Sequence, residues 1–381
     1  MKRIFCLCLV AVVLAGTLPF VAGAAPEVAA KSAFLMDITT GTVLYEQNAH
    51  EKLAPASVTK VMTMLLIMEA IDGGLLTWED PVTASENAAA KGGSQIYLKE
   101  GETMSVADMV KSIAVSSAND CACAMAEHLC GSEEAFVEKM NQRAKELGME
   151  DTHFVNCTGL DDGPEGKSHV TSAHDIAIMS RQLLKFHPEI TKYTTIWMDT
   201  VRSGQFGLSN TNKLVRFYPG TTGLKTGFTS AAGYCLSASA ARDGLELIAV
   251  VMGCQTSAQR FDACKSMLDY GFANYALIQP MPEVEGAVPV RLGTAPLAQA
   301  IPGEETALLI EKGLRNQVRI QTVLEESVTA PVSQGQKLGT MTVWAGERIL
   351  AQTAMVAREA VPRLRWSQVF ATVMKALTLG N

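Results

Sequence analysis

The chain has 381 residues and a formal net charge of −7 at pH 7, with a sequence pI near 5.5. This acidic balance argues against a nucleic-acid partner, which requires a basic surface. The 6 histidines form no His-Glu-x-x-His pattern and there is no phosphate-loop motif, so we expect neither a metal nor a cofactor. The length exceeds one ordinary core, which predicts two domains.

The first 24 residues have the pattern of a secretory signal peptide. Lys2 and Arg3 precede the apolar run 4–15, and Ala22-Gly-Ala24 has the small residues of a cleavage site. The apolar run is short for a membrane-spanning helix, and the cleavage site follows it closely. We therefore expect export and cleavage after residue 24. An uncleaved anchor is the alternative.

Two strands and a buried helix are predicted next. Residues 33–37 and 42–46 have strand-like composition around the turn Thr39-Thr-Gly41. Residues 58–71 are apolar on most faces, and Gly73-Gly74 ends the run, which predicts a helix that is buried all round.

The first turn of this helix carries a Ser-x-x-Lys pair. Ser57 and Lys60 are three residues apart and so share one face. A serine hydroxyl is a weak nucleophile until a base removes its proton, and a lysine whose pKa is lowered by burial beside other cations can act as that base. The alternative is a helix-capping serine followed by a surface lysine, because such pairs also arise by chance.

A second triplet, Ser117-Ala-Asn119, interrupts a helical pattern. Residues 104–113 have helical apolar spacing, and another helix is predicted over 121–129, capped by Asp120 and ended by Gly131. At such a break the serine can transfer a proton and the asparagine amide can hold a substrate carbonyl. The alternative is an ordinary polar corner between two helices.

A third triplet, Lys225-Thr-Gly227, lies on a predicted strand before a hairpin. The hairpin arms are residues 234–240 and 247–252, around the turn Arg242-Asp243-Gly244. The lysine charge and the threonine hydroxyl suit a substrate carboxylate, and the glycine would let a ligand approach the backbone. A lysine at a strand edge is the ordinary alternative.

The sequence changes character near residues 278–282, which predicts a domain boundary. Beyond it, no long helical pattern occurs up to residue 357, and short β-like runs alternate with glycine turns. The predicted strands are residues 288–291, 307–310, 318–323 and 337–343.

The last segment, residues 362–379, is amphipathic. Its basic residues Arg363, Arg365 and Lys375 lie mostly away from the apolar stripe, which predicts a helix lying in a membrane surface. The alternative is a terminal helix packed on the β-rich domain. The stripe consists of Trp366, Val369, Phe370, Val373, Met374 and Leu377.

Cysteine usage indicates at least one unpaired thiol. Of 9 cysteines, Cys6 and Cys8 fall in the signal, and an odd number in the exported chain implies a free thiol or an intermolecular pair. Cys235 and Cys254 lie on the two hairpin arms and could be neighbours. We interpret the mature cysteines as buried, unpaired small apolar residues. They are Cys121, Cys123, Cys130, Cys157, Cys235, Cys254 and Cys264.

With their surroundings, the three triplets resemble those of the penicillin-recognising serine enzymes. The segments that carry the resemblance are 53–60, 91–94, 117–120, 152–160 and 223–229. They are similar to the D-alanyl-D-alanine carboxypeptidases of peptidase family S11, the low-molecular-mass penicillin-binding proteins. The resemblance implies an α+β fold of the β-lactamase and DD-peptidase type. In this fold helices flank an antiparallel sheet, a helical subdomain carries Ser117, the site lies between them, and a small β-rich domain follows.

The resemblance also implies residue roles. Ser57 is then the nucleophile, Lys60 the base and Ser117 a proton relay, and the backbone N–H groups of Ser57 and Phe228 form an oxyanion hole. Arg260 lies where relatives place a basic residue near the carboxylate pocket, although a plain surface arginine is an equal alternative. The implied substrate-binding residues are Asn119, Lys225, Thr226, Gly227, Phe228 and Arg260.

The expected layout is a signal peptide over 1–24, a catalytic domain over 25–277, a β-rich domain over 283–357 and a membrane-anchoring helix over 362–379. The implied activity is removal of the terminal D-alanine from peptidoglycan stem pentapeptides through an acyl-enzyme, with inhibition by β-lactams. The expected location is the outer face of the cytoplasmic membrane, held there peripherally by the C-terminal helix.

Three alternatives remain open from the sequence: a D,D-endopeptidase, a β-lactamase and a catalytically silent wall-binding protein. A class A β-lactamase needs a glutamate to activate its deacylating water. No Glu-x-x-Leu-Asn motif occurs between Ser117 and Lys225, which argues against that alternative.

Overall fold

The computed structural model describes residues 25–161, 168–282, 286–304 and 307–378, so the predicted signal peptide lies outside the described residues. The chain divides into two compact units, Met1–Asn274 and Tyr275–Asn381. This division precedes the predicted boundary at 278–282, because the strand Tyr275–Ile278 pairs with Leu308–Glu311 of the second unit.

Strands and helices alternate irregularly in the described part of the first unit. Its strands are β1 (Ser32–Asp37), β2 (Val43–Gln47), β3 (Pro81–Thr83), β4 (Thr103–Ser105), β5 (Met198–Val201), β6 (Phe206–Ser209), β7 (Thr221–Thr229), β8 (Gly233–Arg242) and β9 (Leu245–Cys254). Its helices are α1 (Lys60–Asp72), α2 (Glu86–Ala89), α3 (Val106–Ser116), α4 (Asn119–Cys130), α5 (Glu133–Glu146), α6 (Ala173–Phe186), α7 (Thr191–Thr194), α8 (Leu214–Phe217) and α9 (Ser257–Asn274). Two 3-10 helices are Ala56–Thr59 and Pro188–Ile190.

The central sheet is antiparallel, in the order β2-β1-β9-β8-β7. Helices cover both faces of this sheet. Successive side chains of a strand point to opposite faces, so the side chains of β1 contact helices on both sides. Phe34 of β1 meets the His174 ring of α6 at a centroid distance of 5.4 Å, whereas the next residue, Leu35, lies beside Gly271 of α9. Every residue of β1 is therefore buried. The predicted α+β fold, an antiparallel sheet flanked by helices, is confirmed.

The predicted buried helix is present as α1, which starts slightly later than predicted. Residues Ala56–Thr59 form one 3-10 turn, and the α-helix runs over Lys60–Asp72 and ends at Gly73. Its apolar residues surround the helix on all sides, and this explains why it is buried in the core of the first unit.

The helices on either side of the second triplet are also present. Ser105 caps the N-terminus of α3, where its hydroxyl accepts the Asp108 N–H, and Gly131, with φ +83°, caps the C-terminus of α4. The prediction that Asp120 caps α4 was wrong. The N-cap residue is Ala118, and Asp120 lies within the first turn, where its carboxylate binds backbone groups of another segment.

The predicted hairpin is formed by β8 and β9. Asp243 and Gly244 have φ of 51° and 80°, the positive values that a tight two-residue hairpin turn requires. The hairpin places β7, which carries the third triplet, at the edge of the sheet next to β8.

The second unit is β-rich, as predicted. Its strands are β10 (Tyr275–Ile278), β11 (Gly286–Arg291), β12 (Leu297–Pro302), β13 (Leu308–Glu311), β14 (Val318–Leu324), β15 (Val328–Thr329), β16 (Lys337–Ala345) and β17 (Arg348–Ala357), with a 3-10 helix over Lys312–Gln317. Six of these strands form one sheet in the order β14-β16-β17-β12-β11-β15. A small core around Leu338, Met341 and Met355 supports this sheet.

The C-terminal amphipathic helix is α10 (Trp366–Thr378). Trp366, Phe370 and Met374 of the predicted apolar stripe are exposed. Within the described residues, no helix has the length and apolar content needed to cross a bilayer.

Candidate active site

The Ser57–Lys60 pair has the geometry of a nucleophile and its base. Lys60 is wholly buried at the start of α1, and its Nζ lies 3.0 Å from Ser57 Oγ. The same nitrogen donates a hydrogen bond to the carbonyl oxygen of Thr158 at 2.8 Å. A neutral amine that donates one hydrogen to Thr158 keeps a lone pair for the serine proton.

The electrostatic environment favours that neutral amine. Burial lowers the pKa of Lys60 to about 7, although Cys157 and Asp120 oppose the shift. Near neutral pH, a large share of Lys60 is therefore unprotonated and able to accept a proton.

The second triplet presents two unpaired polar atoms. Ser117 ends α3 with φ +63°, and its hydroxyl makes no hydrogen bond within the described residues, although it is buried. Asn119 Nδ2 donates to the carbonyl of Gly92 at 2.7 Å, whereas its buried Oδ1 has no partner there. Asn119 can therefore offer a ligand both its Oδ1 as an acceptor and the second Nδ2 hydrogen as a donor, so the expected amide donor to a substrate carbonyl stays a prediction.

Asp120 ties the segment before α3 to this triplet. Its carboxylate is fully buried and accepts the backbone N–H groups of Ile96, at 3.1 Å, and of Leu98, at 3.0 Å. The Asn119 N–H donates to the carbonyl of Ser94 at 2.7 Å. Residues 92–98 are therefore fixed directly beside the Asn119 side chain.

The third triplet is connected to the second through Thr211. The Thr211 N–H donates to the carbonyl of Val115, two residues before Ser117, at 3.1 Å. Its hydroxyl accepts a hydrogen bond from Thr226 Oγ1 at 2.7 Å. The structure thus brings the edge strand β7 to the helix break, as a site between sheet and helical subdomain requires.

Lys225 and Arg260 bring two basic side chains to this region. Lys225 is fully buried, and its Nζ donates to the carbonyl of Thr226 at 3.0 Å. Burial lowers the pKa of Lys225, and the nearby Lys60 and Arg260 lower it further. Arg260 Nη1 donates to the carbonyl of Gly227 at 2.9 Å, while its buried Nε has no partner within the described residues. An incoming carboxylate would favour the protonated form of Lys225.

Gly227 brings β7 close to the nucleophile. A Cβ at this position would lie 2.7 Å from the carbonyl oxygen of Pro55 and 3.2 Å from the backbone nitrogen of Ser57, so any side chain would collide with the turn. The next residue, Phe228, is about half exposed and its ring stacks on Tyr234 at a centroid distance of 4.3 Å. The arrangement places the Ser57 amide next to the end of the third triplet.

Sequence reasoning missed several groups that surround these residues. Thr158 lies within the segment 152–160, which resembles the family, but no sequence pattern identifies its carbonyl as a partner of Lys60. Thr211 and His169, which contacts Thr59, carry no recognisable motif. Each contact joins residues far apart in sequence, and short-range patterns do not reveal them.

All seven cysteines of the described residues are free. Cys235 and Cys254 are close enough to influence each other electrostatically but do not form a disulfide. Burial raises the pKa of Cys121, Cys157 and Cys264. Their thiols therefore stay protonated near neutral pH and are poor nucleophiles.

Comparison with known proteins gives consistent matches. A family model described as D-alanyl-D-alanine carboxypeptidase matches residues 20–256, and one described as the C-terminal domain of penicillin-binding protein 5 matches residues 283–363. The chain is 44% identical to D-alanyl-D-alanine carboxypeptidase DacF of Bacillus subtilis (strain 168) over 336 residues, covering 87% of this chain and 85% of the relative.

Two solved structures extend the comparison. Penicillin-binding protein 5 from Haemophilus influenzae superimposes with a TM-score of 0.76 and 30% identity, covering 89% of this chain and 99% of that one. Penicillin-binding protein D2 from Listeria monocytogenes, in its ampicillin-bound form, gives a TM-score of 0.59 and 34% identity, covering 65% of this chain and 98% of that one.

Proposed function

Since this chain belongs to peptidase family S11 and is a serine-type D-alanyl-D-alanine carboxypeptidase, we propose that Ser57 is its nucleophile and Lys60 its general base. The observation that carries the assignment is the buried Lys60 Nζ, 3.0 Å from Ser57 Oγ and oriented by the Thr158 carbonyl. Its pKa of about 7 suits a base that works near neutral pH.

The reaction follows from these positions. Ser57 Oγ attacks the carbonyl carbon of the penultimate D-alanine while its proton moves to Lys60. The Ser57 and Phe228 amides stabilise the resulting oxyanion. The peptide C–N bond then breaks, and Ser117 relays the proton to the departing D-alanine amine. Water then attacks the ester carbonyl while its proton moves to Lys60, the ester C–O bond breaks, and Lys60 returns the proton to Ser57 Oγ.

The substrate is held by the charged and polar groups around β7. Lys225 and Thr226 bind the terminal carboxylate, and Arg260 supports them through the Gly227 carbonyl and its own positive charge. Asn119 orients the substrate: its Oδ1 can accept a peptide N–H, and the Nδ2 hydrogen that is not bonded to Gly92 can donate to a substrate carbonyl.

We test this assignment with two measurements on one preparation. Incubation with penicillin should add one drug mass to the protein, and peptide mapping should place it on Ser57. Incubation with a pentapeptide ending in D-Ala-D-Ala should release one D-alanine. An adduct on another serine, or none, would refute the assignment of Ser57, and Ser57→Ala should abolish both reactions.

β-Lactams are proposed as inhibitors of this chain. The Listeria relative is solved with ampicillin bound, and a lactam carbonyl presents the same electrophile to Ser57 as the peptide does. Its carboxylate would bind at Lys225 and Thr226.

The proposed location is the outer face of the cytoplasmic membrane, after cleavage of a signal peptide over 1–24. Helix α10 would lie in the membrane surface, with exposed Trp366 and Phe370 inserted and Arg363 and Arg365 near lipid headgroups. The peptidoglycan substrate lies in that compartment.

A further inference from the structure

The turn that carries Ser57 has an unusual backbone. Ala56, immediately before it, has φ +49°, a left-handed conformation that residues with side chains seldom adopt. Thr59, two residues after Ser57, is wholly buried, and its hydroxyl donates to the Ala56 carbonyl oxygen at 2.8 Å. This bond closes the turn around Ser57.

The other partner of the Thr59 hydroxyl is His169. His169 Nε2 lies 2.8 Å from Thr59 Oγ1, and the backbone N–H of Val155 points to His169 Nδ1 at 3.2 Å. Because Nδ1 accepts that hydrogen bond, the ring proton belongs on Nε2, which donates to Thr59. Donation thus runs in one direction, from His169 to Thr59 and from Thr59 to Ala56.

The surroundings keep the ring in this neutral form. His169 is almost fully buried, with the ring of Phe154 edge-on at a centroid distance of 5.7 Å. Burial lowers the pKa of His169 to about 4, and the nearby His153 and Lys60 add to the shift. The donor at Nε2 is therefore maintained across the pH range in which the enzyme would work.

Two residues near this turn, Thr158 and Gly159, also contact the base or the turn itself. A Cβ on Gly159, which has φ +85°, would lie 1.8 Å from the Ala56 carbonyl oxygen and 2.8 Å from Thr59 Oγ1. The preceding residue, Thr158, supplies the carbonyl that binds Lys60. One face of the Ser57 turn is thus in contact with the groups that orient both reacting side chains.

We propose that His169 is a positioning residue for acyl transfer: by donating Nε2–H to Thr59, it directs the Thr59 hydroxyl onto Ala56 and fixes Ser57 relative to Lys60. The inference rests on the proposed role of Ser57 as nucleophile. His169 touches no reacting atom, so its loss should slow acylation and leave the KM for the peptide nearly unchanged.

Two amide variants of His169 separate this role from simple anchoring of the His169 side chain to Val155. The amide nitrogen of His169→Gln can replace Nε2, whereas the amide of His169→Asn reaches only the position of Nδ1. We expect His169→Gln to be acylated by penicillin within about 5-fold of wild type, and His169→Asn to be slower by roughly 10- to 100-fold. Equal rates, or a slower glutamine variant, would overturn the proposal, because the Val155 contact would then be the one that matters.

A second pair keeps the test decisive if the histidine variants unfold. Thr59→Ser retains the hydroxyl and should be acylated nearly as fast as wild type, whereas Thr59→Val is of similar size without it and should be as slow as His169→Asn. A Thr59→Val enzyme of normal rate would overturn the proposal. Acylation of the wild-type protein at Ser57 is measured in parallel. If that reaction fails, the proposed function fails; if it succeeds, the variants judge His169 alone.

Discussion

At the scale of single residues, two lysines are assigned different tasks. Lys60 lies beside Ser57 and donates a hydrogen bond to the Thr158 carbonyl, and as a base it must be neutral to accept the serine proton. Lys225 lies behind Thr226 on the edge strand, where an arriving carboxylate would stabilise its protonated form. The contrast comes from the partners that each amine meets.

Arginine substitutions should separate the two tasks. Lys60→Arg should abolish acylation, because a guanidinium stays protonated and cannot accept the serine proton. Lys225→Arg should retain part of the activity, since a cation still faces the carboxylate. Stopped-flow acylation by a fluorescent penicillin measures both, with thermal melting as the folding control. Equal losses would contradict the division of labour.

The pH dependence of acylation should follow the protonation of Lys60. As pH rises through about 7, Lys60 loses its proton in the folded enzyme and the acylation rate should increase. The second-order rate constant of acylation, measured as a function of pH, checks this. A rate constant that does not rise through this range would contradict the role of Lys60 as the base.

At the scale of elements, a buried carboxylate of α4 fixes the segment that lies beside the second triplet. Asp120 of α4 receives N–H groups from Ile96 and Leu98, as well as the N–H of Cys121. The same segment contacts Asn119 at Gly93, where a Cβ would lie 2.8 Å from Asn119 Nδ2. Asp120 thus stabilises the wall of the site next to a proposed substrate-binding amide.

Removal of this carboxylate should cost both stability and rate. Asp120→Ala leaves buried N–H groups without an acceptor, which costs about 1–3 kcal/mol for each group left unsatisfied. We expect a lower urea midpoint and slower acylation. Asp120→Asn keeps one acceptor oxygen and should lie between wild type and the alanine variant. An alanine variant with an unchanged urea midpoint would show that the Asp120 carboxylate does not stabilise the fold.

At the scale of the whole molecule, the sequence predicted best those features whose signal lies within a short stretch. The hairpin of β8 and β9 was predicted from Asp243-Gly244 between two apolar runs, and α1 was predicted from its continuous apolar composition. The strands β12 and β17 were missed because Ala, Gln and Thr dilute their apolar alternation.

Within the site, the triplets were recognisable but their supporting contacts were not. Lys60 and Thr158 are separated by 98 residues, and Thr59 and His169 by 110. Such pairs are brought together only when the helices and the loop pack, so no local spacing encodes them. Asp120 shows the opposite error. Aspartate often caps helices, but this carboxylate accepts hydrogen bonds from a segment 22–24 residues earlier in the chain.

The C-terminal helix has a natural cutting point that leaves the β-rich unit intact. Val361 is buried in that unit, and residues up to Leu364 hydrogen-bond to its strands and loops, as the Leu364 N–H does to Leu292. A chain that ends at Leu364 therefore removes α10 but keeps these contacts. Its urea midpoint and its rate on small peptides should match those of the full chain.

The same truncation should abolish the membrane binding that we propose for α10. Burial of an apolar side chain contributes about 1.5–3 kcal/mol at full burial, and a helix in the interface obtains part of this from Trp366 and Phe370. We expect a chain that starts at Ala25 to sediment with phosphatidylethanolamine–phosphatidylglycerol vesicles and the truncated chain to stay in solution. Phe370→Asp should release the intact chain, whereas Val323→Asp, at an exposed apolar position of β14, should not. If the truncated chain still sediments, or if truncation unfolds the β-rich unit, α10 is a packing element and the anchoring proposal is wrong.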